Sequence, residues 1–291
     1  NDEAVYNNLG VSLKDSLTLD AAELNYRRAI YLKPNYVNAY KNLSTLLQER
    51  GKLKSADNTC NKLLCNLQIN KSKKDNPSIT ALLTFGRAGS LFLHSLIDGH
   101  PEIATLPGIY FKSWFDLDVW KHFSRNLSKN NWREDIVNTF MQEYEPFFDA
   151  NCKKNVIGTP NDDTSWLAHD NGFTQLGTDH SEVLELNQDI FKKHLIDLLM
   201  PYDEIDPRIC FDAINESFDK AYRKNLIESK KITLYHQHNP SFFERANFNY
   251  FYPNNKTLFI VRNPIQMLES WILHDLAIQQ EISENTLSFF D

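Results

Sequence analysis

Ile79-Thr80-Ala81-Leu82-Leu83-Thr84-Phe85-Gly86-Arg87-Ala88-Gly89-Ser90-Leu91-Phe92-Leu93 decides how this chain is read. An apolar, β-prone run stops at a glycine. A basic residue, a second glycine and a hydroxyl follow, and an apolar helix-like stretch begins at once. A strand that turns through glycines into a helix builds an anion cradle. The glycines let the backbone approach the anion, and the unpaired N–H groups and positive dipole end of the helix face it. A P-loop NTPase would need Gly-x-x-x-x-Gly-Lys-Ser/Thr; the segment here is shorter and lacks the lysine.

A related arrangement stands far downstream. Lys256-Thr257-Leu258-Phe259-Ile260-Val261 predicts a buried strand, Arg262-Asn263-Pro264 a turn, and Ile265 onward a helix carrying Ser270. Arg262 supplies a forked cationic donor at the strand end and Ser270 a hydroxyl from the helix, so both can serve one anion above the sheet edge.

The bulk figures leave room for such a site. The chain has 291 residues, 42% hydrophobic and 24% charged, which is globular composition for one or two domains. The net charge of -7 gives no basic excess for general nucleic-acid binding. Cys60, Cys65, Cys152 and Cys210 form neither a CxxC pair nor a zinc pattern and read as reduced, mostly buried residues. No apolar run reaches the ~20 residues of a membrane helix. With no leader visible, the expected location is the cytoplasm. The start at Asn1 is read as a sign of a missing N-terminus.

Residues 1–70 repeat themselves. Tyr6, Leu9, Leu13 and Ala22 recur 34 positions on as Tyr40, Leu43, Leu47 and Ala56, whereas Leu32 meets Asn66. Small residues at Gly10, Ala22 and Ala29 allow two antiparallel helices to pack closely, with Tyr6, Leu9 and Tyr26 filling the space between them. Pro34 ends one helix and Gly51 separates the next two. Ser44, Cys60 and Leu63 replace the glycine, aromatic and alanine in the second unit, which suits a terminal unit modified to dock on the next domain. Residues 71–77, polar and closed by Pro77, read as a linker, and 78–291 as the second domain.

These patterns resemble two families. Tyr6-x-x-Leu9-Gly10-x-x-Leu13 with Ala22, Tyr26, Ala29 and Pro34 resembles the tetratricopeptide repeat. Gly86-Arg87-Ala88-Gly89-Ser90-Leu91, the later Leu96-Ile97-Asp98-Gly99-His100-Pro101, and Arg262 with Ser270 eight residues beyond resemble the PAPS-dependent sulfotransferases, of tyrosylprotein or carbohydrate type (PAPS is 3′-phosphoadenosine 5′-phosphosulfate). The resemblance implies an α-helical repeat followed by an α/β, P-loop-like three-layer domain around a central parallel sheet, cut short at its C-terminus. It implies transfer of a sulfuryl group from PAPS, leaving PAP, with no metal. Gly86, Arg87, Ala88, Gly89, Ser90 and Leu91 would hold the 5′-phosphosulfate, and Arg262 and Ser270 the 3′-phosphate. The family's hydroxyls are replaced at Ala88 and Leu91, its usual lysine by His238, and the base carboxylate of tyrosylprotein sulfotransferases has no counterpart at Gly108.

Catalysis then needs charge stabilisation on the leaving phosphate, for which Arg87 is placed, and a base for the acceptor proton. Ile232-Thr233-Leu234-Tyr235-His236-Gln237-His238 predicts a strand with His236 and His238 on one face. His238 ranks first as base, then His236, then His100; a purely structural role for these rings stays open. The aromatics from Ile109 to Phe148 read as amphipathic helices covering the sheet, or alternatively as a wall for the acceptor. Residues 151–185 read as loops, and Leu184–Leu199 and Asp212–Ser229 as helices. Expected partners are an acceptor peptide, glycan or small-molecule hydroxyl, and a protein on the helical repeat; no nucleic acid or membrane is expected. The alternative is an interaction module whose second domain is degenerate. A magnesium-dependent kinase is disfavoured by the loop without lysine.

Overall fold

The computed structural model describes residues 2–66, 78–84, 88–98, 100–107, 111, 113–125, 127–128, 130–152, 173–174, 179–222, 231–270, 272–273 and 276. Four helices come first: α1 (Asp2–Asp15), α2 (Leu19–Leu32), α3 (Val37–Glu49) and α4 (Leu53–Asn66). They form two hairpins offset by the same 34 residues as the sequence repeat. Positions that changed between the units keep their burial: Gly10 and Ser44, Tyr26 and Cys60, Ala29 and Leu63 are all buried. Gly10 is obligatory for close packing, because a Cβ there would lie 2.6 Å from Tyr26 Cε1. Leu9, expected inside, is 46% exposed. Helical repeats cover one another's faces, and among the described residues no unit lies on the outer face of α1.

After the linker, which lies outside the described residues, come β1 (Ser78–Thr84), α5 (Ser90–Ile97), β2 (Ile103–Thr105), α6 (Leu117–Ser124), α7 (Trp132–Glu143), α8 (Gln188–Leu199), α9 (Pro207–Tyr222), β3 (Ile232–His238), α10 (Phe242–Phe251) and β4 (Lys256–Phe259). A further helix runs over residues 264–270. The strands form one parallel sheet in the order β2-β3-β1-β4. Parallel pairing demands long crossovers, and helices supply them.

One face of the sheet carries the main core. Tyr235 packs between Phe115, Phe211 and Phe248, and Phe111, Trp114, Phe140 and Tyr144 extend the same aromatic cluster. The indole N–H of buried Trp114 donates to the Pro207 carbonyl at 2.7 Å, which satisfies its polar end. The stretch from 111 to 115 is thus largely core. The expected strand at 256–261 ends at Phe259, and its four residues are exposed rather than buried: β4 is an edge strand. The expected helices at 184–199 and 212–229 begin later and earlier, at Gln188 and Pro207, where Asn187 caps α8 through its side chain and Asp206 accepts from Ile209 N–H. Cys65 is exposed and Cys152 half-buried, against the expectation of mostly buried thiols. Among the described residues, no helix is long and apolar enough to cross a membrane.

The two parts touch. Tyr40, Cys60, Leu63 and Leu64 of the second hairpin pack with Leu117, Phe243 and Ala246. Lys41 on α3 reaches Asp116 and Asp118 at the start of α6.

Candidate functional site

The carboxyl ends of β3, β1 and β4 meet at one edge, because the three strands are adjacent and parallel. Thr84 is level with His238, and Leu83 with Phe259. Ligands of open α/β sheets bind outside this edge.

At the centre, β1 leads into the glycine loop. Phe85, Gly86 and Arg87 lie outside the described residues. Gly89 caps α5 with φ 86 and ψ 22, a left-handed conformation that suits glycine. It offers no side-chain cap, and the first intrahelical bond runs from Leu93 N–H to Gly89 O at 3.1 Å. The preceding N–H groups, of Ser90, Leu91 and Phe92, therefore end the helix without an intrahelical acceptor and aim back toward the sheet edge, with the helix dipole behind them. Ala88 precedes this turn, and Ser90 is buried at its start.

On one side, β4 leads to Arg262, which is exposed. Asn263 caps the next helix: its Oδ1 accepts from Ile265 N–H and its carbonyl from Met267 N–H, each at 2.9 Å. Arg262 thus stands immediately before a second helix N-terminus, and Ser270 lies half-buried on that helix.

On the other side, β3 ends in the two histidines. His236 and His238 share a face, as strand alternation requires, with rings 5.9 Å apart. His236 is buried, its Nε2 3.3 Å from Thr84 Oγ1 and its Nδ1 3.2 Å from His94 Nδ1 on α5. His94 Nε2 lies 2.6 Å from Thr105 Oγ1. His238, half-buried, places Nδ1 3.4 Å from the same Thr84 hydroxyl. Burial, with repulsion from protonated His94 and His238 as lesser causes, pushes the His236 imidazole down to about 3. Burial also lowers His94, against a smaller opposing pull from Asp98. Both rings are neutral near pH 7.

His100 lies elsewhere. It precedes β2, at the amino edge of the sheet, where its Nδ1 accepts from Glu102 N–H at 3.1 Å. Thr84, His94 and Thr105 were not anticipated from the sequence. Thr84 and Thr105 are the final residues of β1 and β2, and His94 follows Ser90 by one helical turn, so hydroxyl-ended strands were the available signal.

A small cavity opens beside His236, bounded by Thr105, Leu106, Phe111, Phe211 and Asn215. Phe111 and Phe211 of the aromatic core thus line one space with His236.

Comparison with known proteins finds no matching family model, curated protein or solved structure.

Proposed function

We propose that the chain is a PAPS-dependent sulfotransferase acting on a hydroxyl or amine acceptor, with a tetratricopeptide-type repeat that recruits the acceptor or a protein partner. The observation that carries this reading is the convergence at one sheet edge of a glycine-capped helix start, a second helix start preceded by Arg262, and His238. The 34-residue hairpin repeat supports the tetratricopeptide part.

The residues present fit the cofactor's chemistry. A nucleotide with phosphates at both ends of its ribose needs two anion sites beside a place for the acceptor. PAPS, when bound, supplies the sulfuryl group and a leaving 5′-phosphate. In this reading the N–H groups of Ser90, Leu91 and Phe92 bind the 5′ end, where they also stabilise charge as it develops. Arg87 keeps its sequence-based role beside them. Arg262 and Ser270 hold the 3′-phosphate and so orient the reaction. His238 takes the acceptor proton, and His236 holds it through the Thr84 hydroxyl.

The test is calorimetric titration of PAP into the chain, beside Arg262→Ala and an ATP control. The expected result is micromolar binding, weakened about tenfold or more in the variant, as loss of a charge-assisted phosphate contact implies, and weaker binding of ATP. A folded protein that ignores PAP, or prefers ATP with magnesium, would overturn the reading.

A further inference from the structure

We infer that Thr105, His94, His236 and Thr84 form a directional hydrogen-bond chain that fixes His238 in its Nδ1–H tautomer and presents Nε2 as the proton-accepting nitrogen of the site. Thr105 and His94 are positioning residues in this scheme, acting on a ring that neither touches in the chain. The tautomer stands on the geometry alone; only the identity of the group that meets Nε2 rests on the sulfotransferase reading.

Each hydroxyl has one proton to donate, and each neutral imidazole has one shared between two nitrogens. His94 and His236 sit buried with their Nδ1 atoms 3.2 Å apart, so one must donate and the other accept. The direction is set at the far end. The Thr105 hydroxyl donates to the Leu106 carbonyl at 3.3 Å. Its proton committed, Thr105 Oγ1 accepts, and His94 donates from Nε2 at 2.6 Å. His94 Nδ1 then carries a lone pair and accepts from His236 Nδ1–H. His236 Nε2 accepts from the Thr84 hydroxyl at 3.3 Å, and Thr84 Oγ1 accepts from His238 Nδ1–H at 3.4 Å. In this polarity each ring has one tautomer, and His238 carries its proton on Nδ1.

The opposite polarity is self-consistent too, but it requires the Thr105 proton to leave the Leu106 carbonyl for His94. Every bond would then reverse, and His238 would carry Nε2–H, a donor where a base is needed. An unconstrained histidine side chain favours that Nε2–H form, so the chain works against the ring's own preference. When an acceptor group is deprotonated, its O–H or N–H bond breaks, the electron pair stays on the acceptor atom, and the proton bonds to His238 Nε2. The charge stays on His238, because the buried rings behind it resist protonation.

The test is tautomer assignment by long-range proton–nitrogen NMR on the full chain labelled with nitrogen-15 histidine. His238→Gln assigns the resonance by its disappearance. The expected wild-type result at neutral pH is the Nδ1–H pattern for His238. Thr105→Val, four hydrogen bonds away, removes the terminus and should convert His238 to the Nε2–H pattern. Thr105→Ser should restore Nδ1–H, which a loss through misfolding would not. An Nε2–H signal in the wild-type protein, or an unchanged His238 in a folded Thr105→Val protein, would overturn the inference. The NMR readout needs no nucleotide, so a failure to bind PAP would count against the sulfotransferase reading alone.

Discussion

Lys41 Nζ stands 2.9 Å from Asp116 Oδ1, and this pair ties the helical repeat to the sheet-bearing part of the chain. The same ammonium reaches Asp118 Oδ2 at 2.6 Å, while Asp116 also caps α6 by accepting from Asp118 N–H. Burial alone would lower the Lys41 ammonium; the two aspartates outweigh it and hold it raised. One cation thus joins α3 to the start of α6 beside the apolar contact made by Tyr40, Leu63 and Phe243.

Replacing this cation should loosen the junction. Lys41→Met keeps the aliphatic stem and leaves two partly shielded carboxylates facing one another. The expected loss is about 1–3 kcal/mol, read as a lower urea midpoint. A midpoint unchanged from wild type would mean that solvent already screens the pair.

Gly10→Ala should destabilise the first hairpin. The added methyl would sit 2.6 Å from Tyr26 Cε1, and Tyr26 is itself buried with little freedom to move. Overpacking of this kind costs roughly 1–3 kcal/mol. The double variant Gly10→Ala with Tyr26→Leu should recover part of the loss if the clash is its cause. Additive losses in the denaturation curves would argue against that cause.

Gly89→Ala tests backbone strain in isolation. Among the described residues, no atom beyond the flanking ones lies within 4 Å of a Cβ built there, so the expected cost comes from φ 86. A non-glycine residue in that region costs about 1–2 kcal/mol. Asn enters the left-handed region more readily, so Gly89→Asn should cost less than Gly89→Ala in the same thermal melts.

The helical hairpins were legible in the sequence because repetition and packing coincide: the 34-residue offset places Tyr26 and Cys60, unlike as they are, at equivalent buried positions. The strand–glycine–helix unit was legible for a local reason, since one short segment carries the strand, the cap and the helix. The histidine chain was only half legible. Alternation along one strand predicts that His236 and His238 share a face, but His94 meets His236 across 142 positions of sequence, and Thr105 enters through β2. Contacts of that kind depend on which helix crosses which face of the sheet, which no local pattern states. The exposure of β4 was missed for a similar reason: an apolar strand reads the same at a sheet's centre and at its edge.

The pH dependence of stability should divide between two buried groups of opposite sign. His236 sits near 3 in the folded protein, below the ordinary histidine value of 6.5. Between those values the unfolded chain takes up a proton that the folded chain refuses, so stability is full above about pH 6.5 and falls as the pH drops. From pH 7 to 5 the loss is on the order of 2 kcal/mol.

Asp212 runs the other way. Burial raises it to about 6, against the Tyr252 hydroxyl hydrogen bond at 2.6 Å and nearby Arg208, which lower it. Here the folded chain binds the proton first, so its contribution is full below the ordinary carboxylate value and is lost as the pH rises through about 6. From pH 7 down to 5 it returns on the order of 1 kcal/mol, offsetting part of the His236 loss. On these two groups alone, wild-type stability should fall by about 1 kcal/mol across that range, while the single variants tilt in opposite directions. His236→Gln should gain stability on acidification relative to wild type, and Asp212→Asn should lose it. Urea midpoints at the two pH values decide the matter by slope rather than by level, so any constant packing cost of either substitution cancels. Variants that both follow the wild-type slope would place the titrating groups elsewhere.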